Sequence, residues 1–324
     1  MNTLDSIKQS LSADLERLDT VIHDNLKTDN QLLQNVVLHQ LRTKGKQIRP
    51  IFVMLCARLF GEINEKTLAS AAAVELLHNA SLIHDDVVDA TTQRRGLPTI
   101  NAIWDNHIAV LVGDFFVSTS MQQAISTGDV RVIDSLCHLG KLLSLGELDQ
   151  IYNARYHTLT EEAYYQIITH KTASLFIACA RMACYSCGVD DQRLEALVEF
   201  ARLIGLCFQI RDDIFDYFPD KGVGKPTGND LREGKITLPL LHVLLNKDLA
   251  KHDEMLALSQ KDGLDGDDIE RLIAYAVENG GIEYARQQMF DMRDRADEIL
   301  KIFEDSDARR QLIELFDFII DRKS

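Results

Sequence analysis

Two short strings carry the residue types of metal-assisted phosphate chemistry. Asp85-Asp86-Val87-Val88-Asp89 and Asp212-Asp213-Ile214-Phe215-Asp216 share the pattern D-D-x-x-D. Residues four apart on a helix stack on one face, so Asp85 lies over Asp89 and Asp212 over Asp216. Exposed like charges in that arrangement repel by about 0.2–0.5 kcal/mol. The repulsion is larger in apolar surroundings, and both strings follow apolar helix-forming sequence, AVELLHNASLIH and LIGLCFQI. A hard divalent cation relieves it. All-oxygen ligands suit Mg²⁺, which takes one or two carboxylates and fills its shell with water and phosphate oxygens. One such string alone reads as a solvated acidic face, whereas a second copy in the same apolar setting favours a metal role.

His78 stands seven residues before Asp85, two turns along the same stripe, with Ser81 between them. Basic residues gather in three places: Arg42, Lys44, Lys46 and Arg49; Arg94 and Arg95; and Lys221, Lys225, Arg232 and Lys235 in a glycine-rich segment. Each group alone reads as a solvated patch. Together with two acidic strings they fit a polyanion bridged by metal ions, with Arg and Lys on the remaining phosphate oxygens. Cys179, Cys184 and Cys187 follow C-x4-C-x2-C, a spacing that iron–sulfur proteins use. They lie in a small-residue helical run with no fourth cysteine in a loop, so buried thiols are expected.

The elements that must position these groups are helices. Of 324 residues, 46% are hydrophobic and 26% charged, enough for a sizeable core and too apolar for disorder. No proline falls between Pro98 and Pro219, which favours long helices. Apolar spacings of three and four predict helices over 4–27, 31–42, 50–60, 66–89, 100–127, 131–153, 160–187 and 192–217. The segment 218–237, with Gly222, Gly224, Gly228 and Gly234, reads as a long functional loop. Helices resume over 238–246, 267–279, 281–304 and 307–322. No strand is expected, and the β-like run 108–112 reads as buried helix. The fold class is therefore all-α, a single domain over 1–324. No apolar run approaches the roughly 20 residues that span a bilayer, and the first residues show no signal-peptide core. Six cysteines without a disulfide pattern fit a reducing cytoplasm. A net charge of −15 argues against nucleic acid as a general partner.

The ordered set of motifs resembles the trans-isoprenyl diphosphate synthases, the polyprenyl synthetase family, over nearly the whole chain. It runs from Gly45-Lys46-x-x-Arg49-Pro50 through both aspartate strings, Arg94-Arg95-Gly96, Gly113-Asp114, Lys171-Thr172 and Phe208-Gln209. It ends on Gly224-Lys225, Gly228-x-Asp230-Leu231 and Gly234-Lys235. The resemblance implies a helical bundle around a central cavity, a homodimer, and condensation of isopentenyl diphosphate with an allylic diphosphate. It implies Asp85, Asp89 and Asp212 as the main Mg²⁺ contacts, with Asp86, Asp213 and Asp216 as further ligands or holders of bound water. Arg94, Lys171, Lys225 and Lys235 would grip the allylic diphosphate. Lys46, Arg49, His78 and Arg95 would grip the isopentenyl one. Thr172 and Gln209 would turn oxygen dipoles toward the developing carbocation. Arg211 departs from the aliphatic residue common at its position. It lies about 200° around the helix from Gln209 and is expected to face away.

The resemblance also bears on product length, because small residues before the first aspartate string let the product grow. Ala80 and Ser81 are small. A tunnel from Asp85 past Ser81 toward Val74 covers roughly 16 Å of helix. That suggests a long product, octaprenyl-like and destined for quinone side chains, with transient membrane-surface contact for its release. Met121, on a stripe with Asp114, Val117 and Ile125, is either the tunnel floor or ordinary core. Competing readings are a shorter-chain farnesyl or geranylgeranyl synthase and a non-catalytic subunit of a heteromeric synthase. A terpene cyclase would not need the second diphosphate site, and an HD phosphohydrolase would leave the second aspartate string unexplained.

Overall fold

Seventeen α-helices make up nearly all the regular structure among the described residues of a computed structural model, which describes residues 3–42, 45–156, 159–218 and 227–322. In chain order they are α1 (Thr3–Ser10), α2 (Ser12–Asn25), α3 (Gln31–Leu41), α4 (Ile48–Arg58), α5 (Glu65–Val88), α6 (Ile100–Ile103), α7 (Asn106–Ser126), α8 (Val130–Tyr156) and α9 (Glu161–Ile168). They continue with α10 (Ser174–Cys187), α11 (Asp191–Phe215), α12 (Asn229–Arg232), α13 (Leu238–Leu245), α14 (His252–Ser259), α15 (Gly266–Glu278), α16 (Gly281–Leu300) and α17 (Asp307–Asp321). Two strands, β1 (Gln93–Arg94) and β2 (Leu97–Pro98), form a minimal antiparallel hairpin. The chain divides into two units. One comprises Met1–Gly140, Ala178–Val198 and Phe303–Leu312; the other comprises Lys141–Ile177, Glu199–Ile302 and Ile313–Ser324.

In the first unit, α4 is buried from Ile48 through Ala57 except at Arg49, as an apolar helix in a core must be. Asn64 caps α5 by accepting from the amide of Thr67, and Asp105 caps α7 through Ile108. Ala69, Ala71, Ala72 and Ala73 keep α5 thin, so α7 packs closely along it. There the buried Ser120 hydroxyl donates to the carbonyl of Ala73 at 2.6 Å. The helix expected over 4–27 breaks at Leu11. Ser10 donates its hydroxyl to the Ile7 carbonyl at 2.8 Å, competing with the helical amide for that acceptor. The hairpin corrects the expectation of no strands. Arg95 and Gly96 both take positive φ, +53° and +76°, the backbone that a two-residue hairpin turn requires.

In the second unit, α13 is apolar nearly all round and packs against α15 and α16. The helix expected over 160–187 is interrupted by a π turn at Thr169–Ala173. Gly205 of α11 sits against this turn. A Cβ there would lie 2.5 Å from the Cα of Ala173, so only glycine permits the approach. Helix α14 lies where no helix was expected. Its buried His252 bonds the Leu244 carbonyl at 3.0 Å through Nε2. Helix α12 forms inside the segment read as loop. One further correction concerns α7, whose 21 residues are long and apolar enough to cross a membrane by length and composition. Its exposed residues include Leu111, Met121 and Ile125.

Candidate active site

In the first unit the site is built on one stripe of α5, where Glu75, His78, Leu82, Asp85 and Asp89 recur at three and four residues. The aspartates occupy the last turn and the C-cap. A helix C-terminus carries partial negative charge, so each carboxylate placed there is disfavoured by about 0.3–1 kcal/mol unless a cation answers it. Asp85 and Asp89, one turn apart with oxygen donors only, fit a hard Mg²⁺ ion. Asp86 does not join them. It is buried and accepts from Nε and Nη2 of Arg94 at 2.9 and 2.8 Å, while its backbone carbonyl takes the Asn101 amide at 3.1 Å. The pair ties the hairpin to α5, so Asp86 and Arg94 serve each other in this state.

His78 is buried on this stripe, within the electrostatic reach of Arg49, Arg95 and Arg94. Burial, and then the positive charge of Arg49, Arg95 and Arg94, hold its imidazole well below the usual 6.5, so it is neutral at pH 7. Arg95 lies flat against the backbone of Gly45, where a Cβ would come within 2.7 Å of both terminal guanidinium nitrogens. Lys46 is exposed beside it. Three non-glycine residues take left-handed backbone around this site: Gln47 at φ +55°, Ala90 at +49° and Arg95 at +53°. Strain of this kind costs about 1–3 kcal/mol per residue and persists where surrounding contacts enforce it. Gly113 admits the ring of His84, which bonds the Val110 carbonyl at 3.2 Å and lies 3.5 Å from Asp114.

Of the residues expected to govern product length, Ala80 and Val74 are buried, and Ser81 is half-buried with its hydroxyl on the His78 carbonyl at 2.9 Å. Met121 is 45% exposed on α7, so it closes no floor within the single chain.

In the second unit, the other aspartate string also ends a helix, α11. Asp212 accepts from Nη2 of Arg322 at 2.7 Å. Arg322 also donates to the Phe208 carbonyl at 2.9 Å, and its guanidinium lies 4.0 Å from the Phe208 ring centre. Arg211 does have a role: its Nε and Nη2 clamp the carbonyl of Arg322 at 3.0 and 2.7 Å. Asp213 is buried and receives the Tyr164 hydroxyl at 2.6 Å and the Gln209 amide at 2.8 Å. Burial, then the neighbouring Asp230, push its carboxyl well above the usual range. Asp216 caps α12, its two oxygens accepting the amides of Asn229 and Asp230, each at 3.0 Å. In this structure Asp86, Asp213 and Asp216 hold protein groups, and Asp212 holds Arg322. Among the described residues, no three His, Cys, Asp or Glu side chains converge as a ready metal cage.

A recess of about 170 Å³ in this unit is lined by Tyr164, Lys171, Thr172, Asp213, Asp230 and Lys235, among others. Lys171 pairs with Glu147 at 2.5 Å and Gln150 at 3.2 Å, and Lys235 pairs with Glu233. Thr172 donates to Oε1 of Gln209 at 2.6 Å, so that amide oxygen is turned toward Thr172. Lys44, Lys221 and Lys225 lie outside the described residues. Sequence reasoning missed Glu75, Asp230, Tyr164 and Arg322 as site residues. Glu75 could have been found on the His78 stripe, and Asp230 stands inside a motif already noted. Tyr164 and Arg322 carry no local signal.

The polyprenyl synthetase family profile matches residues 30–276. The octaprenyl diphosphate synthase of Escherichia coli (strain K12) is 32% identical over 320 residues, covering 98% of this chain and 99% of that protein. The crystal structure of a Caulobacter crescentus polyprenyl synthase complexed with calcium and isoprenyl diphosphate is similar with a TM-score of 0.91. It is 31% identical and covers 99% of this chain and 98% of that one. A geranylgeranyl pyrophosphate synthase from Bacteroides thetaiotaomicron aligns with a TM-score of 0.85 at 37% identity, over 99% of this chain and all of that one. An all-helical fold, a profile match over most of the chain and full-length relatives agree, and the chain is a member of the polyprenyl synthetase family, a prenyltransferase.

Proposed function

We propose that the chain condenses isopentenyl diphosphate head-to-tail with an allylic diphosphate such as farnesyl diphosphate, making a long-chain all-trans polyprenyl diphosphate, octaprenyl-like, for quinone side chains. The observation that carries this reading is the placement of both aspartate strings at helix C-termini, where backbone and side chains concentrate negative charge that only cations relieve. Mg²⁺ bound by Asp85, Asp89 and Asp212 would supply charge neutralisation to the leaving diphosphate. Lys171, Lys225 and Lys235 hold the allylic diphosphate, and their charge stabilises it as the C–O bond breaks. Lys46, Arg49, Arg95 and neutral His78 hold the isopentenyl diphosphate. The hydroxyl oxygen of Thr172, set by its bond to Gln209, faces the allylic cation. The isopentenyl double bond attacks that cation, and the departing diphosphate takes the proton. Small Ala80 and Ser81 leave room for a growing chain. The whole chain acts as one catalytic domain, in the cytoplasm and as a homodimer, with the exposed apolar residues of α7 against a second copy. The product leaves by transient contact with a membrane surface. The test is pyrophosphate release from farnesyl and isopentenyl diphosphates, with and without Mg²⁺, and mass analysis of the product. No release with Mg²⁺ present, or product no longer than twenty carbons, overturns the reading.

A further inference from the structure

Four side chains of the second unit form one unbroken line of hydrogen bonds along the recess. Tyr164 donates its hydroxyl to Oδ2 of Asp213 at 2.6 Å. Oδ1 of Asp213 accepts from Nε2 of Gln209 at 2.8 Å, and Oε1 of Gln209 accepts from the Thr172 hydroxyl at 2.6 Å. All four line the recess, and Tyr164, Thr172 and Asp213 are buried. The direction of every bond follows from the first. With Tyr164 donating to one oxygen, the Asp213 carboxylate is held as an acceptor facing Gln209. The amide must then turn its N–H groups to Asp213 and its oxygen to Thr172. Thr172 has a single hydroxyl proton, which this amide oxygen takes, and the lone pairs of the Thr172 oxygen are left to point elsewhere. A reversed amide would offer N–H to Thr172, occupy a lone pair and turn the hydroxyl proton outward, the wrong polarity beside a cation.

We propose that Tyr164 is a positioning residue: through Asp213 and Gln209 it keeps the Thr172 proton turned away from the recess and the oxygen lone pairs toward the allylic cation. The proposal rests on the cation role given to Thr172 above. Binding of two analogues to the full chain with Mg²⁺, measured calorimetrically, tests it without turnover. One is an aza analogue of farnesyl diphosphate, in which an ammonium nitrogen replaces a carbon that shares the allylic charge. The other is farnesyl thiodiphosphate, which resists ionisation and stays neutral there. Tyr164→Phe keeps the ring and removes the donor. It weakens the charged analogue about tenfold, the scale of one hydrogen bond to a charged group, and leaves the neutral one within twofold. Thr172→Val, which removes the end of the line, does the same. In the double variant the charged analogue binds as in Thr172→Val alone, because both changes act through one hydroxyl. Gln209→Met breaks the line at its middle with the same expected loss, and reports if the Phe variant does not fold. The proposal is overturned if Tyr164→Phe keeps the charged analogue within twofold, weakens both analogues equally, or multiplies the loss of Thr172→Val. Unchanged binding of the charged analogue in Gln209→Met overturns it too. A Thr172→Val chain that keeps the charged analogue overturns the cation role and the proposal together. One that loses it beside an unaffected Tyr164→Phe overturns the proposal alone.

Discussion

Asp216 offers a sharp separation between a structural carboxylate and a metal ligand. Its two oxygens take the amides of Asn229 and Asp230 and so fix the start of α12. That turn carries Asp230, whose carbonyl accepts the amide of Lys235 at 2.8 Å. Asp216→Ala removes both bonds. Loss of a single helix cap costs about 0.5–2 kcal/mol, and two charge-assisted bonds place this site at the upper end, about 2 kcal/mol. At about 1.4 kcal/mol per factor of ten, the ordered α12 becomes roughly thirtyfold less favoured. Asp216→Asn keeps one acceptor oxygen and satisfies one of the two amides, losing about half that energy, or roughly fivefold. The assay is steady-state pyrophosphate release with the allylic substrate and then Mg²⁺ varied. The allylic KM should rise by up to those two factors, and the Mg²⁺ concentration for half activity should stay within twofold in both variants. A metal ligand behaves otherwise. If Asn and Ala are equally impaired and both demand about tenfold more Mg²⁺, the capping account of Asp216 is wrong.

Gly205→Ala should destabilise by about 1–3 kcal/mol, because the new methyl meets the Ala173 backbone rather than a side chain that can swing aside; a Tm within one degree of wild type would contradict this. His78 is depressed below 6.5, so below that pH the unfolded chain takes a proton that the folded chain refuses. Its contribution to stability is full above pH 6.5 and drains away as pH falls toward the lower folded value. Tm should therefore drop more between pH 7 and pH 5 in wild type than in His78→Asn, and parallel curves would refute it. On the chain path proposed past Ser81, Ser81→Phe should shorten the product to about fifteen or twenty carbons. An active variant with the wild-type product, measured by mass analysis, would show that the chain grows elsewhere.

The all-α class and most helices were legible because apolar spacing is a local property, as along Leu15, Leu18 and Ile22 of α2. The aspartate strings were legible as types in a row. What each aspartate does was not, because the partners come from far along the chain. Asp212 meets Arg322, 110 residues away, and Asp213 meets Tyr164, 49 residues away. The hairpin escaped notice because two-residue strands carry no period, although Arg95-Gly96 is a turn dipeptide. Helix α14 escaped because its short apolar pattern sits between polar runs. Met121 matched a stripe, but a stripe does not say which side of the helix faces protein.

The π turn at Thr169–Ala173 acts as a phase corrector between two halves of one helical run. Tyr164 and Thr172 both engage α11, at Asp213 and Gln209, which are four residues apart on a single face. Eight residues of uninterrupted α-helix would leave Tyr164 and Thr172 roughly 80° out of alignment. With i→i+5 bonding each residue turns less, by about 82°, and four such steps bring the total close to two full turns. Two side chains that would diverge then point the same way. A one-residue deletion inside 169–173 would heal the helix into regular α geometry and improve its backbone bonding. Thr172 would then stand seven α-helical steps from Tyr164, about 700°, still within about 20° of alignment. The chain could then keep both facings, and a one-residue gap at this point in any alignment marks the loss of the π turn with the rotational setting retained.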